Sequence, residues 1–375
     1  MTGVLVIGGG IAGTAAALAL HKAGAEVTVF EAQPVADEDI GAFLTLASNG
    51  TWALTQIDCA EPVHRVGFPL TAMRLTGQDG AQLAAAPMGD PANPVRCLRR
   101  AELGAALREE AGRRGIDLRH GKRLTGISQD EHGVTASFAD GSTATGSLLV
   151  GADGLNSVVR AGAGRPRYAG QRVYYGYTTE AAPPHEPARI EMIRGSRSSM
   201  GYAVSPAGQT YWFLRVPAEQ LSGAEIAAAT PASLREHLLP LVSLDQTPAA
   251  DIVAATGEQL MVTNARDLPE GLRWRDGRVL LIGDAAHAAS PATGQGASMA
   301  LEDAVVLGKS IRDLGLSSAA LAAYERIRRP RVEQNIATSA RITAAPTNSP
   351  ATPARRPPVD PEVLAMLDWN APVSP

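Results

Sequence analysis

Val4-Leu5-Val6-Ile7-Gly8-Gly9-Gly10-Ile11-Ala12-Gly13 sets a four-residue apolar run directly before a G-x-G-x-x-G turn. The run predicts a strand buried on both faces. An alanine-rich helix is expected from Ile11 to Ala23, closed by Gly24, with a second strand over Glu26 to Phe30. That is a βαβ unit and the start of a parallel sheet. Gly8 permits the tight turn, Gly10 lets a pyrophosphate approach the backbone, and Gly13 lets the helix pack on the sheet. The first helical turn, with Ile11 and Ala12, offers N–H donors and a positive dipole end to phosphates. Glu31 ends the second strand, where a carboxylate can accept both ribose hydroxyls and disfavours a 2′-phosphate. FAD or NAD fits this unit; NADP does not.

Outward from this unit, Gly41 to Gln56 reads as a loop entering a helix, and residues 63–90 as hairpin material. Arg100 to Arg114 reads as an amphipathic helix. Ile116 to Thr145 reads as a small antiparallel meander, and Leu148 to Gly151 as a return to a buried strand. Residues 166–265 hold most of the aromatics and read as antiparallel strands with a helix near Ser233–Leu239. Val279 to Ile282 is again a buried strand. Helices follow over Ala297 to Asp313 and Ala319 to Ala340, the latter expected to kink or divide at Pro330. The expected fold is α/β, a Rossmann-like domain (residues 1–68, 96–165 and 266–345) interrupted by an antiparallel-sheet substrate domain (69–95 and 166–265). A Pro/Ala-rich irregular tail is expected over 346–375.

The 375 residues, 45% hydrophobic and 19% charged, are a globular composition with room for a sizeable core. A net charge of −4 provides no overall positive field for nucleic acid or an anionic membrane. Two cysteines, Cys59 and Cys97, make neither a disulfide framework nor a metal pattern, so no metal is expected. The apolar start lacks the basic opening of a signal peptide and is broken by glycines, and no run reaches membrane-spanning length. A cytoplasmic protein is expected.

Two further motifs follow strands. Gly151-Ala152-Asp153-Gly154 enters a helical turn. Gly283-Asp284-Ala285-Ala286-His287 leads to Pro291-Ala292-Thr293-Gly294-Gln295-Gly296-Ala297. A strand ending in Gly-Asp can present a carboxylate to a sugar-like chain. A Pro-x-x-Gly-x-Gly turn opening a helix can aim N–H groups at the pyrimidine edge of a flavin. Together the three motifs resemble those of the class A FAD-dependent aromatic monooxygenases, the para-hydroxybenzoate hydroxylase-like flavoprotein family. The resemblance implies that Asp153 serves FAD and the nicotinamide donor and that Asp284 holds the ribityl chain. It places Pro291, Gly294, Gln295, Gly296 and Ala297 beside the flavin ring. It sets Arg100 against FAD, and Gly41-Ala42-Phe43-Leu44-Thr45, with Phe43, as the loop under the flavin.

The resemblance also implies reduction of FAD by NADH or NADPH, reaction with O2 to a flavin hydroperoxide, and oxygen transfer to an aromatic or polycyclic small molecule. No catalytic residue follows from the sequence beyond His287 as a candidate polar group near the flavin. Alternation in Tyr211-Trp212-Phe213-Leu214-Arg215 puts Tyr211, Phe213 and Arg215 on one face, with either face able to line the substrate pocket. Tyr175, Tyr177, Arg197, Tyr202 and Pro291 are further substrate-binding candidates. The same fold also serves halogenases and prenyl-chain reductases, and a non-catalytic FAD protein that carries a ligand is a further alternative. The halogenase Trp-x-Trp-x-x-Pro signature is missing around Trp212.

Overall fold

The computed structural model describes residues 3–34, 42–160, 162, 164–345 and 360–375. The Val4–Ile7 strand lies inside a six-stranded sheet in the order 275–276, 279–281, 148–151, 4–7, 27–30, 117–119. It pairs in parallel with Val27–Phe30 and with Leu148–Gly151, and all four of its residues are buried. A strand covered on both faces needs that continuous apolar run. The helix Ile11–Lys22 is buried from Thr14 to Leu20 and packs against the helix Gly296–Leu314. Small residues set this approach: a Cβ on Gly308 would stand 2.9 Å from that of Ala19.

Between the 148–151 and 279–281 strands the chain builds most of a second sheet, ordered 260–267, 167–178, 210–217, 199–204, 189–194, 72–77, 82–87. Its pairings are antiparallel except one: Arg189–Arg194 runs parallel to Ala72–Gly77. The 72–77/82–87 hairpin thus joins the sheet edge from far away in sequence. Buried Glu191 pins the junction, pairing with Arg74 at 2.7 Å and Arg189 at 2.6 Å. The helices Pro231–Val242 and Ala249–Ala254 cover one face of this sheet, enclosing Trp212, Leu214, Tyr174 and Tyr202. The architecture is a mixed α/β fold, with a Rossmann-like parallel sheet beside separate antiparallel sheets.

Several local expectations differ from the structure. Phe43–Leu46, expected within a loop, is a strand paired with Val95–Arg99, a partner too distant for local pattern to register; Gly41 lies outside the described residues. Asp117–Arg119 joins the parallel sheet, so the meander begins only at Leu124. Pro330 sits inside one undivided helix, Ser318–Ala344, whose face of Tyr324, Arg328, Val332 and Ile336 is buried across the proline. In the expected irregular tail, 346–359 lies outside the described residues, while Pro361–Leu367 is a helix capped by Asp360, with Val363 and Leu367 buried. No helix among the described residues is long and apolar enough to cross a membrane.

Candidate active site

Three turns converge at the carboxyl ends of the parallel strands, the usual ligand position in open α/β sheets. Gly8 has φ +107°, and a Cβ there would stand 2.4 Å from the Ala152 carbonyl oxygen. Gly283 has φ +56°, and a Cβ there would stand 2.8 Å from that of Ala12. Arg160 ties the other two turns, donating to the carbonyls of Leu155 at 2.6 Å and Ala285 at 2.9 Å. Beside these turns lies a cavity of about 300 Å³. Gly10, Ile11, Ala12, Gly154 and Asp284 form one part of its wall, with Pro291, Gly294, Gly296 and Ala297 beyond them. Arg100, Phe43, Val173, Tyr175, Phe213 and Arg215 also line it.

The helix Ile11–Lys22 starts at this cavity with Gly10 as its N-cap, no side-chain cap and no acidic residue in its first turn. Its leading N–H groups are therefore available to an anion. A Cβ on Gly10 would meet nothing within 4 Å, so the space beside the helix start is open. Glu31 lies behind this start, off the cavity wall, its Oε2 accepting the Gly9 N–H at 2.7 Å and its Oε1 the Gln33 N–H at 2.9 Å. An open helix start with an acid behind it, and Asp284 on the cavity wall, are a donor and acceptor set that can hold FAD.

Not every expected cofactor residue faces the cavity. Asp153 accepts from Ser157 Oγ at 2.5 Å and from the N–H groups of Val158 at 2.7 Å and Val159 at 3.1 Å. Its carboxylate is thus engaged in its own turn, and Gly154 lines the wall instead. The Gln295 side-chain Oε1 accepts from Asn49 Nδ2 at 3.1 Å, and the residue is off the wall. Gly8 and Gly13 serve the packing of the turn.

His287, the catalytic candidate, is buried away from the wall, with Nε2 2.5 Å from Asp303 Oδ2. It belongs to an ion cluster that sequence reasoning missed. Asp303 also accepts from the Gly283 N–H at 2.9 Å and from Arg328 Nε at 2.8 Å. Arg328 reaches Glu302 at 2.5 Å, and Glu302 further accepts from Asn49 at 2.6 Å and Arg331 at 2.7 Å. Burial pushes the Asp303 carboxyl up, but His287 and Arg328 outweigh it and hold it at about 2. The available signal was Glu302-Asp303 inside the otherwise apolar run Met299 to Leu307, since acids enclosed there must be paired.

The strand register settles which face of the aromatic sheet meets the cavity. Tyr175 pairs with Phe213 and Tyr177 with Tyr211, so these share a face with Arg215, while Trp212 points into the helix-covered core. Phe213, Arg215 and Tyr175 line the cavity. Phe43 closes on them from the other sheet, its ring 6.4 Å from Tyr175 and 6.0 Å from Phe213. Tyr177 and Tyr211 lie beside the cavity but not on its wall, because Arg99 covers both rings at 4.4 and 5.7 Å. Tyr202 pairs with Trp212 across the strands, so it faces the opposite core, donating to the Pro184 carbonyl at 2.6 Å. Arg197 is exposed in the turn between Arg189–Arg194 and Ser199–Val204, off the wall. Burial pushes the Tyr175 phenol up to about 12 against the opposing pull of Arg215 and Arg100.

A family model described as FAD binding domain matches residues 1–339. The chain is 34% identical over 347 residues to the FAD-dependent urate hydroxylase of Klebsiella pneumoniae, spanning 88% of this chain and 86% of that protein. It is 32% identical over 343 residues to 3-amino-4-hydroxybenzoate 2-monooxygenase PtmB3 of Streptomyces platensis, spanning 88% and 85%. The crystal structure of Klebsiella pneumoniae HpxO with FAD and uric acid superimposes with a TM-score of 0.82 at 28% identity, covering 92% of this chain and 89% of HpxO.

Proposed function

The chain belongs to the FAD binding domain family, and from that premise we propose that it is a monooxygenase using FAD, NADH or NADPH, and O2 to place one oxygen atom on an aromatic or polycyclic small molecule. One observation carries the reading: a single cavity is walled on one side by the glycine turns and Asp284 and on the other by an aromatic sheet face. FAD, when bound, supplies the electron transfer and oxygen activation that side chains alone do not. In this reading residues 1–68, 96–165 and 266–345 hold the cofactor, and 69–95 and 166–265 the substrate.

Gly10, Ile11 and Ala12 receive the pyrophosphate, Glu31 the ribose, Asp284 the ribityl hydroxyls, and Arg100 with the Pro291–Ala297 turn the ring. Tyr175, Phe213 and Phe43 set the plane of the substrate ring and exclude water from it. A phenol held near 12 stays protonated, so Tyr175 donates a hydrogen bond and does not act as a base. The relatives named for urate and for an aminohydroxybenzoate support a planar, oxygen-bearing substrate. A cytoplasmic setting supplies the reduced nicotinamide.

The test is to incubate holoenzyme with NADH or NADPH and a panel of phenols, hydroxybenzoates, purines and quinolones. Substrate-stimulated nicotinamide oxidation with a product heavier by one oxygen atom is expected. Panel-wide silence favours a ligand carrier, and a halide-dependent product or alkene reduction without O2 uptake favours the same-fold alternatives.

A further inference from the structure

We infer that Thr293, Asn335 and Ser339 are positioning residues. A polar ladder on the helix Ser318–Ala344 holds the Pro291–Gly294 turn so that the N–H groups opening the helix Gly296–Leu314 face the cofactor ring and favour its reduced, negatively charged form. The inference rests on the assignment of that turn to the flavin ring under the function proposed above.

Asn335, Ser339 and Thr343 recur at a spacing of four on the helix Ser318–Ala344 and so share one face. The Thr293 hydroxyl donates to Asn335 Oδ1 at 2.9 Å and lies 2.8 Å from Ser339 Oγ. A hydroxyl has one hydrogen, and Thr293 gives its own to Asn335, so Ser339 donates in the second bond. Ser339 is completely buried, and an enclosed hydroxyl needs a partner; Thr293 is that partner. One turn further along, Thr343 Oγ1 stands 2.8 Å from Ser290 Oγ, and the Thr343 carbonyl accepts from Gln171 Nε2 at 2.9 Å. Gln171 belongs to the strand Arg167–Thr178, which brings Val173 and Tyr175 to the cavity. One helix face thus fixes the ring-side turn and the aromatic wall against each other.

Ser290, Pro291, Gly294, Gly296 and Ala297 line the cavity, whereas Thr293, Asn335 and Ser339 do not. These three therefore act on the cofactor through the backbone they hold. Pro291–Thr293 is a single 3₁₀ turn closed by Gly294 in the left-handed region at φ +63°. The helix that follows starts with no side-chain cap and no acidic residue in its first turn, so its leading N–H groups are open at the wall. Their aim depends on the short turn before them. Preorganised N–H donors and a positive helix end favour negative charge beside them. Loosening the turn should therefore weaken binding of reduced FAD more than of oxidised FAD.

Thr293→Val is isosteric, removes both hydroxyl bonds and leaves the wall residues in place. The reduction potential of bound FAD is measured against a reference dye, beside the unfolding midpoint of each apoprotein. In Thr293→Val the preference for reduced over oxidised FAD should fall about three- to tenfold. A tenfold fall is a potential lower by about 30 mV for a two-electron couple. Thr293→Ser, which keeps the hydroxyl, should return to the wild-type value, and Ser339→Ala should shift part of the way. Ser339→Ala combined with Asn335→Leu carries the same reading if Thr293→Val does not accumulate. An unchanged or raised potential in the Val variant or its substitute, or a shift that Thr293→Ser shares in full, overturns the proposal. A lower unfolding midpoint with the potential unmoved does so too, since it leaves the ladder a packing role alone. A lowered potential without oxygen insertion on any substrate contradicts the monooxygenase reading alone. Oxygen insertion with the potential unmoved contradicts the role of the ladder alone.

Discussion

Asp303 accepts the backbone N–H of Gly283 at 2.9 Å, joining a buried helix carboxylate to the turn that presents Asp284 to the cavity. The same carboxylate holds His287 and Arg328, so one fully buried charge fixes the Gly283-Asp284 turn and the 318–344 helix together. Replacing Asp303 by Asn removes a counter-charge of Arg328 and weakens the hold on the turn. Breaking a buried pair from one side costs about 3–5 kcal/mol. Thermal unfolding of Asp303→Asn should therefore begin well below the wild type, with poorer flavin retention. An unchanged midpoint would remove the cluster from the account.

Acid should act on the same group. The folded Asp303 carboxyl is held at about 2, below its ordinary 3.8, so the folded state favours the ionised form. That contribution is full above the ordinary value and is lost as pH falls through the folded one. Denaturant midpoints should drop between roughly pH 4 and pH 2, and Asp303→Asn should flatten this part of the profile. An equally steep acid limb in the variant would assign the effect to other carboxylates.

Asp284 is half-buried on the cavity wall and forms part of no ion pair among the described residues. Asp284→Ala should fold like the wild type yet retain less FAD through gel filtration, a loss of at least about tenfold in affinity if one charge-assisted contact is removed. Full flavin occupancy in that variant would contradict its assignment to the ribityl chain.

Much of this arrangement was legible because its signals are local. Val4–Ile7, the glycine turn and the alanine-rich helix carry their own strand, turn and helix chemistry within a few residues. Alternation also grouped Tyr211, Phe213 and Arg215 correctly. Alternation is blind to what covers each face, however. Only the packing of 231–242 and 249–254 over Trp212 decides that Phe213 meets the cavity and Tyr202 does not. The strand at Phe43 and the partnership of His287 with Asp303 depend on segments far apart in sequence, which no local pattern encodes.

Two glycines of the first turn should separate folding from binding. A Cβ on Gly13 would stand 1.9 Å from the Gly8 carbonyl oxygen, whereas one on Gly10 meets nothing within 4 Å. Gly13→Ala should lower the unfolding midpoint sharply by forcing the helix off the strand. Gly10→Ala should keep the midpoint of the apoprotein and weaken FAD binding, because the added methyl occupies space the pyrophosphate needs. Calorimetry of the apo forms with flavin titration distinguishes the two; equal midpoints for both variants would refute the contrast.

The most direct measurement of oxygen insertion is turnover of a substrate found in the panel under isotopically labelled O2, followed by mass spectrometry of the product. One labelled oxygen atom per product molecule is predicted, with one nicotinamide oxidised for each. A product whose new oxygen comes from water, or one that gains no oxygen at all, would contradict the account.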